Sequence, residues 1–338
     1  RRRLGRGAEV LPAGDDVADA LRAFLKRLRQ KLEPEGRVKA LNDCGARLCD
    51  VGEFGTARQA CFDAALALCD DVEAAGATDT VALLAWRVEA AYGQAACDVE
   101  AARAADAAAR YPKTAQRLFA CLRKVQKAMA DLLALPPKAQ ERVAWLILNG
   151  AGLIHRTAEP LAALGGACAR HAAELLLWAA QTLDSCVSLA TAAHLPYRCR
   201  LYALAARACD DAKRPRAAAE AIRLLKVGVQ ALRDAESMQL PMPRQTRRRL
   251  DAARRDVFVL EVRAAARLNA ALADAETPEE QTAAVQQLLD AHLAAVGLAD
   301  DAALRARAVF EALERPGQRG LGEMLEAAPL ADDGGGGA

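Results

Sequence analysis

Hydrophobic residues recur every three or four positions through most of the chain, which is the spacing of one buried face of an α-helix. Alanine, the strongest helix former, makes up about a quarter of the residues, whereas β-branched residues are sparse. Short segments with proline or glycine separate the periodic regions. The pattern predicts an all-α protein with helices at about 16–32, 37–50, 55–74, 80–110, 114–135, 138–156, 160–180, 197–212, 215–237, 244–273, 277–296 and 299–314.

Helices that follow one another with short connectors are typical of an α-solenoid. We predict that residues 37–260 form this solenoid and that residues 261–320 continue it as further helices. Residues 1–36 are expected to form a basic helical lead-in, and residues 321–338 a flexible tail. The glycine-rich end lacks the apolar side chains that an ordered segment would bury.

The segment VGEFGTARQACFDAAL has the small and aromatic residues of a tetratricopeptide unit. In this interpretation Gly45 and Ala57 let two helices approach closely, and Gly52 makes the turn between them. Phe54 would fill the gap between the helices, and Ala64 would pack on the next repeat. A weaker copy follows later in the chain without the turn glycine. The predicted fold is therefore an α-solenoid of degenerate tetratricopeptide-like helical hairpins.

The charge of the chain is nearly balanced, with 46 basic and 44 acidic side chains and a formal net charge of +2. This balance provides no overall attraction to nucleic acid. No run of 18 or more uncharged apolar residues is present, so we expect neither a membrane span nor a membrane partner. The start RRRLGRG lacks the apolar segment of a secretory signal, and Arg1 in place of a methionine suggests a piece of a longer chain.

Chemically reactive residues form no recognisable site in the sequence. The ten cysteines contain no CxxC pair and are interpreted as small buried hydrophobic residues. The four histidines lie far apart, and the chain lacks HExxH, phosphate-binding glycine and nucleophile motifs. We therefore expect no enzymatic activity, no metal and no cofactor.

Two segments, LRAFLKRLRQKL at 21–32 and RLFACLRKVQKAM at 117–129, combine an apolar face with many basic residues. Helices of this kind resemble calmodulin targets or helices that lie on membrane surfaces. The alternative, which we favour, is that the solenoid buries their apolar faces and leaves only the basic faces in solvent.

The segment RQTRRRLDAARRD is unusually dense in arginine. On a helix these residues could meet an acidic partner, such as the acidic tails of tubulin, because guanidinium groups pair well with carboxylates. The alternative is a solvated helix whose charge is balanced by Asp251 and Asp256. The candidate partner-binding residues are Arg244, Arg247, Arg248, Arg249, Arg254 and Arg255.

Four apolar motifs follow one another between about residues 143 and 260. They are WLILNG (145–150), AELLLWAAQTLDSCVSL (173–189), PYRCRLYALAARACD (196–210) and AAAEAIRLLKVGVQALRDAE (217–236). In order and approximate spacing, this series resembles the amino-terminal region of the cilia- and flagella-associated protein 54 family. Within the motifs, Trp145 and Trp178 are expected to pack between repeats.

The resemblance implies a segment of a very large, non-enzymatic helical-repeat protein of motile cilia. Such a protein is expected in the axoneme, a cytoskeletal structure of the cytoplasm, as a scaffold that helps build the C1d projection of the central apparatus and supports regulation of beating. The implied partners are other proteins of that projection, calmodulin, and the microtubule surface, reached directly or indirectly. The alanine-rich composition fits the GC-rich genome of a green alga.

An alternative left open by the residues is a cytosolic tetratricopeptide adaptor that binds partner peptides in a groove. Peptide-binding adaptors of this kind need asparagine, lysine and arginine side chains repeated on successive helices. Asn42 and Arg47 occupy such positions once, and no second copy follows. The sequence therefore favours the scaffold over the adaptor.

Overall fold

A computed structural model describes residues 23, 24, 27, 32–76, 79–107, 109, 111–238, 242–269, 272, 277–296 and 302–313. The predicted tail at 321–338 and most of the predicted helix at 16–32 lie outside the described residues. Of the two basic segments, only the one at 117–129 can be placed in full.

The described residues form helices and contain no strand, so the all-α prediction is confirmed. In chain order the helices are α1 (Pro34–Asp50), α2 (Phe54–Thr56, continued by a π-helical segment Ala57–Phe62 and by Asp63–Ala74), α3 (Thr80–Ala105), α4 (Pro112–Leu133), α5 (Pro137–Ala162), α6 (Gly166–Ser185), α7 (Leu195–Asp211), α8 (Pro215–Ser237), α9 (Arg244–Leu268), α10 (Pro278–Val296) and α11 (Ala302–Leu313).

Proline begins several of these helices. Pro34, Pro112, Pro137 and Pro215 are each the first residue of a helix, where the missing backbone N–H has no helical partner to lose. The helix predicted at 37–50 therefore begins three residues earlier than predicted, at Pro34.

The predicted break between helices at 138–156 and 160–180 is displaced. Helix α5 continues through Pro160, and the break falls at Gly165 and Gly166, which have φ angles of +78° and +51°. These angles are accessible to glycine but strained for other residues. The glycine pair, rather than the proline, therefore separates α5 from α6.

Pro160 is accommodated near the end of α5 by a neighbouring helix. A proline removes the hydrogen bond that the carbonyl four residues earlier would accept, here that of Arg156. The guanidinium of Arg103 on α3 donates to this carbonyl instead, with an Nη2–O distance of 2.9 Å. The lost helical bond is thus replaced by a tertiary one.

The described residues divide into two compact units, one ending at Ala101 and the other beginning at Ala102. In the first unit, α1, α2 and the first part of α3 share one apolar core. Its buried members are Val38, Leu41, Ala57, Phe62, Ala65, Cys69, Val72, Leu83, Ala90 and Cys97.

In the second unit, each helix from α4 to α9 packs on the helix that follows it. Contacts also join α4 to α6, α5 to α7 and α7 to α9, which is the next-neighbour pattern of stacked helical hairpins. Helices α9, α10 and α11 close on an apolar cluster that includes Phe258, Val262, Leu289 and Leu304. This sequential packing is that of an α-solenoid, as predicted; the boundaries predicted at 36, 260 and 320 stay predictions.

Candidate partner-binding surfaces

Close helix packing in the first unit depends on the ring of Phe62. A Cβ added at Gly45 would lie 2.6 Å from Cζ of Phe62, and one added at Gly93 would come closer still to the same ring. Phe62 is buried, whereas Phe54 is only partly buried. Phe62 is the last residue of the π-helical segment, whose buried residues are Ala57, Cys61 and Phe62. Phe62 therefore fills the space between the helices, while Phe54 packs at the edge of the same core.

Three other residues predicted to shape the packing in this unit are Gly52, Ala57 and Ala64. Gly52 has a φ angle of +88° in the turn between α1 and α2. Ala57 is fully buried, and Ala64 packs partly buried against the core. Small side chains at these positions let α2 approach its neighbours.

The two predicted packing tryptophans differ from each other. Trp145 is 48% exposed, which contradicts its predicted role between repeats. It lies on the outer side of α5, while Leu146 and Ile147 turn to the inside and are buried. Trp178 on α6 is half-buried at the edge of a groove.

The side chains that could clamp a peptide in an adaptor are engaged within the first unit. Asn42 is buried, and its Nδ2 donates to the backbone oxygen of Trp86 over 2.8 Å. Arg47 is exposed and pairs with Asp50 over 3.5 Å. Since the amide of Asn42 serves the interior, it offers no exposed donor to a peptide.

The basic segment at 117–129 belongs to α4, and its apolar face is buried against the fold. The buried side chains of this face are Leu118, Phe119, Cys121, Leu122, Val125, Ala128 and Met129. Arg117, Arg123 and Lys127 remain exposed. The structure thus shows the packing that we favoured for this segment, with its basic side in solvent.

The six candidate arginines all lie in the first half of α9. At about 100° per residue, five of them fall within an arc of about 120°, which we call the arginine face. These five are Arg244, Arg247, Arg248, Arg254 and Arg255, with Asp251 among them. Arg249 lies on another side of the helix and is half-buried.

Acidic residues of α9 are few within and next to the arginine face. The first turn of α9 holds no acidic residue, although a helix amino terminus favours negative charge. Asp256, which the sequence suggested as a counter-charge, pairs instead with Arg307 on α11, with an Nη1–Oδ1 distance of 2.7 Å. Asp251 therefore remains as the acidic residue within the arc.

A groove of about 720 Å³ lies between α4 and α6. Two stripes face each other across it. Lys113, Arg117, Ala120 and Arg123 come from α4, and His171, Glu174, Leu175 and Trp178 come from α6. The ring of Phe119 meets that of His171 edge-on, with centroids 5.7 Å apart. Sequence reasoning missed this groove because its two sides are about fifty residues apart in the chain.

A buried polar cluster joins α6 to α7. Arg198 pairs with Asp184, and the hydroxyl of Tyr202 donates to Oδ2 of Asp184 over 2.6 Å. Burial, followed by the nearby Asp184 carboxylate, raises the pKa of Tyr202. All three residues lie within the quoted motifs, so the motif residues hold two helices together by hydrogen bonds as well as by apolar packing.

A second buried cluster joins three helices. Arg263 on α9 donates from Nε to Oδ2 of Asp210 on α7 over 2.9 Å, and from Nη1 to Oε2 of Glu311 on α11 over 3.0 Å. Arg207 also pairs with Glu311. Sequence reasoning missed this cluster. The sign of it in the sequence is Arg263, a charged residue within the apolar stripe of α9 that would need a buried partner.

No disulfide joins the ten cysteines; eight are buried, and Cys44 and Cys49 are half-buried. The Sγ atoms of Cys49 and Cys97 are 3.6 Å apart. Among the described residues, no group of three or more histidine, cysteine, aspartate or glutamate side chains is arranged to hold a metal ion. Nor does the described part of the chain contain a helix long and apolar enough to cross a membrane.

Comparison with known proteins relates this fold to one family. The family model described as Cilia- and flagella-associated protein 54 matches residues 75–264, more than half of the chain. Over 169 residues the chain is 32% identical to Cilia- and flagella-associated protein 54 of Chlamydomonas reinhardtii. This alignment covers 49% of the chain but 5% of the relative, so the chain spans a small part of the relative's length. The resemblance seen in the four motifs is confirmed, and the chain belongs to the cilia- and flagella-associated protein 54 family.

Proposed function

We propose that this chain is a segment of a non-enzymatic scaffold in the axoneme of motile cilia, where it helps build the C1d projection of the central apparatus and supports regulation of beating. The observation that carries the proposal is membership in a family of cilia- and flagella-associated proteins. The architecture supports a scaffold, because helices stacked in sequence expose a large surface for several partners at once.

The partners we propose are other proteins of the same projection, with calmodulin associated, and the microtubule surface, reached directly or indirectly. The arginine face of α9 is the surface we assign to an acidic partner such as tubulin. Support comes from the exposed positions of Arg244, Arg247, Arg248 and Arg255 and from the lack of acidic residues in the first turn of the helix. Guanidinium groups pair well with carboxylates at such surfaces.

The proposal is tested by quantifying peptides of this protein by mass spectrometry in axonemes from wild-type cells and from cells that lack the central pair. We expect the peptides in wild-type axonemes and their loss, together with known central-pair proteins, in the mutant. Outer-doublet proteins provide the loading control, since their amounts do not depend on the central pair.

Two outcomes would contradict the proposal. Equal amounts in both preparations would place the protein elsewhere in the axoneme. Absence from both would remove the ciliary assignment and favour the adaptor, although the buried position of Asn42 weakens that alternative.

A further inference from the structure

The groove between α4 and α6 carries more positive than negative charge. Lys113, Arg117 and Arg123 line it from α4 and form no ion pair with other described residues. Glu174 is the acidic residue of the lining. Its Oε1 lies 3.4 Å from Nη1 of Arg214, which offsets the charge of the carboxylate. An excess of cations in a concave site attracts an anionic occupant.

The middle of the groove is apolar. Ala120 lies between Arg117 and Arg123 on α4, and its small side chain leaves room opposite Leu175 on α6. The ring of Trp178 lines the same space. Aromatic and aliphatic walls of this kind hold an apolar side chain, while polar groups at the edge set its orientation.

The spacing of the cations sets a minimum length for the occupant. Lys113 and Arg123 are ten residues apart, which corresponds to about 15 Å along the helix axis. In an extended peptide, residues i and i+4 are about 13 Å apart, and residues i, i+2 and i+4 lie on one side. A peptide with acidic residues at i and i+4 and an apolar residue at i+2 therefore matches both charged ends and the apolar middle.

We infer that this groove binds an extended acidic segment of a partner protein, in which one apolar residue is flanked by carboxylates two positions away on each side. The amide of Gln126, which lines the groove half-buried, is placed to bond the peptide backbone. A concave groove fits a chain better than the flat surface of a lipid bilayer. The inference does not depend on the axonemal location of the protein, because it concerns binding by the purified chain.

The binding test uses the full 338-residue chain and a rhodamine-labelled peptide of sequence Gly-Glu-Ser-Leu-Ser-Glu-Gly with blocked ends. Fluorescence anisotropy at about 0.15 M salt measures the affinity. We expect saturable binding that weakens at least tenfold when both glutamates of the peptide are replaced by glutamine. Replacing the leucine with alanine should also weaken it, because the apolar middle then lacks its occupant.

Matched protein variants place the binding in the groove. Arg117→Glu combined with Arg123→Glu should weaken binding at least tenfold. Arg216→Glu combined with Arg233→Glu, an equal charge change on exposed positions of α8, should leave binding unchanged. Ala120→Tyr fills the groove without changing its charge and should also abolish binding, and circular dichroism verifies that each variant is folded.

Three results would overturn the inference. The first is no binding of the acidic peptide up to millimolar concentration. The second is an equal loss of affinity in the groove variant and in the α8 variant, which would indicate attraction by net charge alone. The third is binding only to vesicles that contain phosphatidylserine, which would assign the cations to a membrane surface. If the double charge variant fails to fold, the response of Ala120→Tyr decides.

Discussion

Arg263 and Asp210, 53 positions apart in the chain, form an ion pair from which solvent is almost excluded, with side-chain exposures of 3% and 2%. A buried guanidinium is stable only when its N–H groups have acceptors, and Glu311 accepts a second hydrogen bond from Arg263. The pair thus sets the position of α9 relative to α7 and α11.

Removing the central cation should destabilise the protein strongly. We expect Arg263→Met to lower the free energy of unfolding by about 3–5 kcal/mol, because two carboxylates are left buried without their shared partner. Urea denaturation followed by circular dichroism measures this loss. The matched control is Lys226→Met, which breaks the exposed pair with Glu261 and should cost less than about 1 kcal/mol.

Removing the two buried carboxylates together with the arginine should recover part of that stability. A triple variant, Arg263→Met with Asp210→Leu and Glu311→Met, should unfold at a higher urea concentration than Arg263→Met alone. If Arg263→Met costs no more than the Lys226 control, the buried pair does not stabilise the fold as argued.

Two glycine-to-alanine substitutions should change the stability of the protein in opposite directions. Gly93→Ala places a methyl group against the ring of Phe62 and should destabilise the first unit by about 1–3 kcal/mol. Gly55→Ala meets no atom within 4 Å and should stabilise the helix by about 0.5–1 kcal/mol. Thermal unfolding measures both, and a stabilising effect of Gly93→Ala would contradict the close contact with the ring.

The stability of the protein should depend on His155 below neutral pH. Burial, followed by Arg200, lowers the pKa of His155 below its ordinary value of 6.5, against the opposing effect of Glu159. Between the folded and unfolded pKa values the unfolded chain binds the proton and the native chain does not, so stability falls as the pH decreases through about 6.5. His155→Gln should reduce the loss of stability between pH 7.5 and 5.5 in urea denaturation. An unchanged pH dependence in the variant would contradict this assignment.

Cys44 should be the most reactive thiol of the first unit. The hydrogen bond with Cys61 lowers the pKa of Cys44 to about 7, despite the opposing effect of burial, whereas burial raises the pKa of Cys49. We expect iodoacetamide at pH 7.5 to alkylate Cys44 first, and Cys61→Ala to slow this reaction roughly tenfold by lowering the thiolate fraction. Peptide mass spectrometry follows each site. Faster alkylation of Cys49 would refute the prediction.

The arginine face should determine any direct binding to microtubules. We expect co-sedimentation of the purified chain to weaken at least tenfold in a variant with Arg244→Glu, Arg247→Glu and Arg248→Glu. Removal of the acidic tubulin tails by protease should have a similar effect on the unchanged protein. Arg216→Glu with Arg233→Glu on α8 is the charge control. Binding that survives charge reversal on α9 would assign the contact to another surface.

The class of fold followed from the sequence because apolar periodicity over many turns specifies helices almost without regard to tertiary context. Helix ends were less certain, because a proline can occupy either the first or the last turn. The carbonyl freed by Pro160 is bonded by Arg103 from another helix, a contact that local sequence does not encode. Trp145 illustrates a different limit, since an aromatic residue favours burial but its place on the helix puts it in solvent.

The candidate surfaces depended even more on tertiary structure. The arginine face could be predicted because its residues lie within twelve positions of one helix. The groove could not, because Arg123 and Trp178 become neighbours only when α4 and α6 both pack on α5. For the same reason the sequence could not show that Asp256 pairs with Arg307 on α11 rather than with the arginines of its own helix.

The buried position of Arg263 affects where an expressed fragment of such a protein should end. The family match ends at residue 264, just after this arginine, while the carboxylate that completes its bonding belongs to Glu311. A fragment that stops where the similarity stops would keep the bond of Arg263 to Asp210 but lose the one to Glu311, and it would leave the apolar side of α9 bare. The end of the family match is thus not the end of the folded unit. A fragment whose ends are chosen from the alignment alone would be cut within that unit.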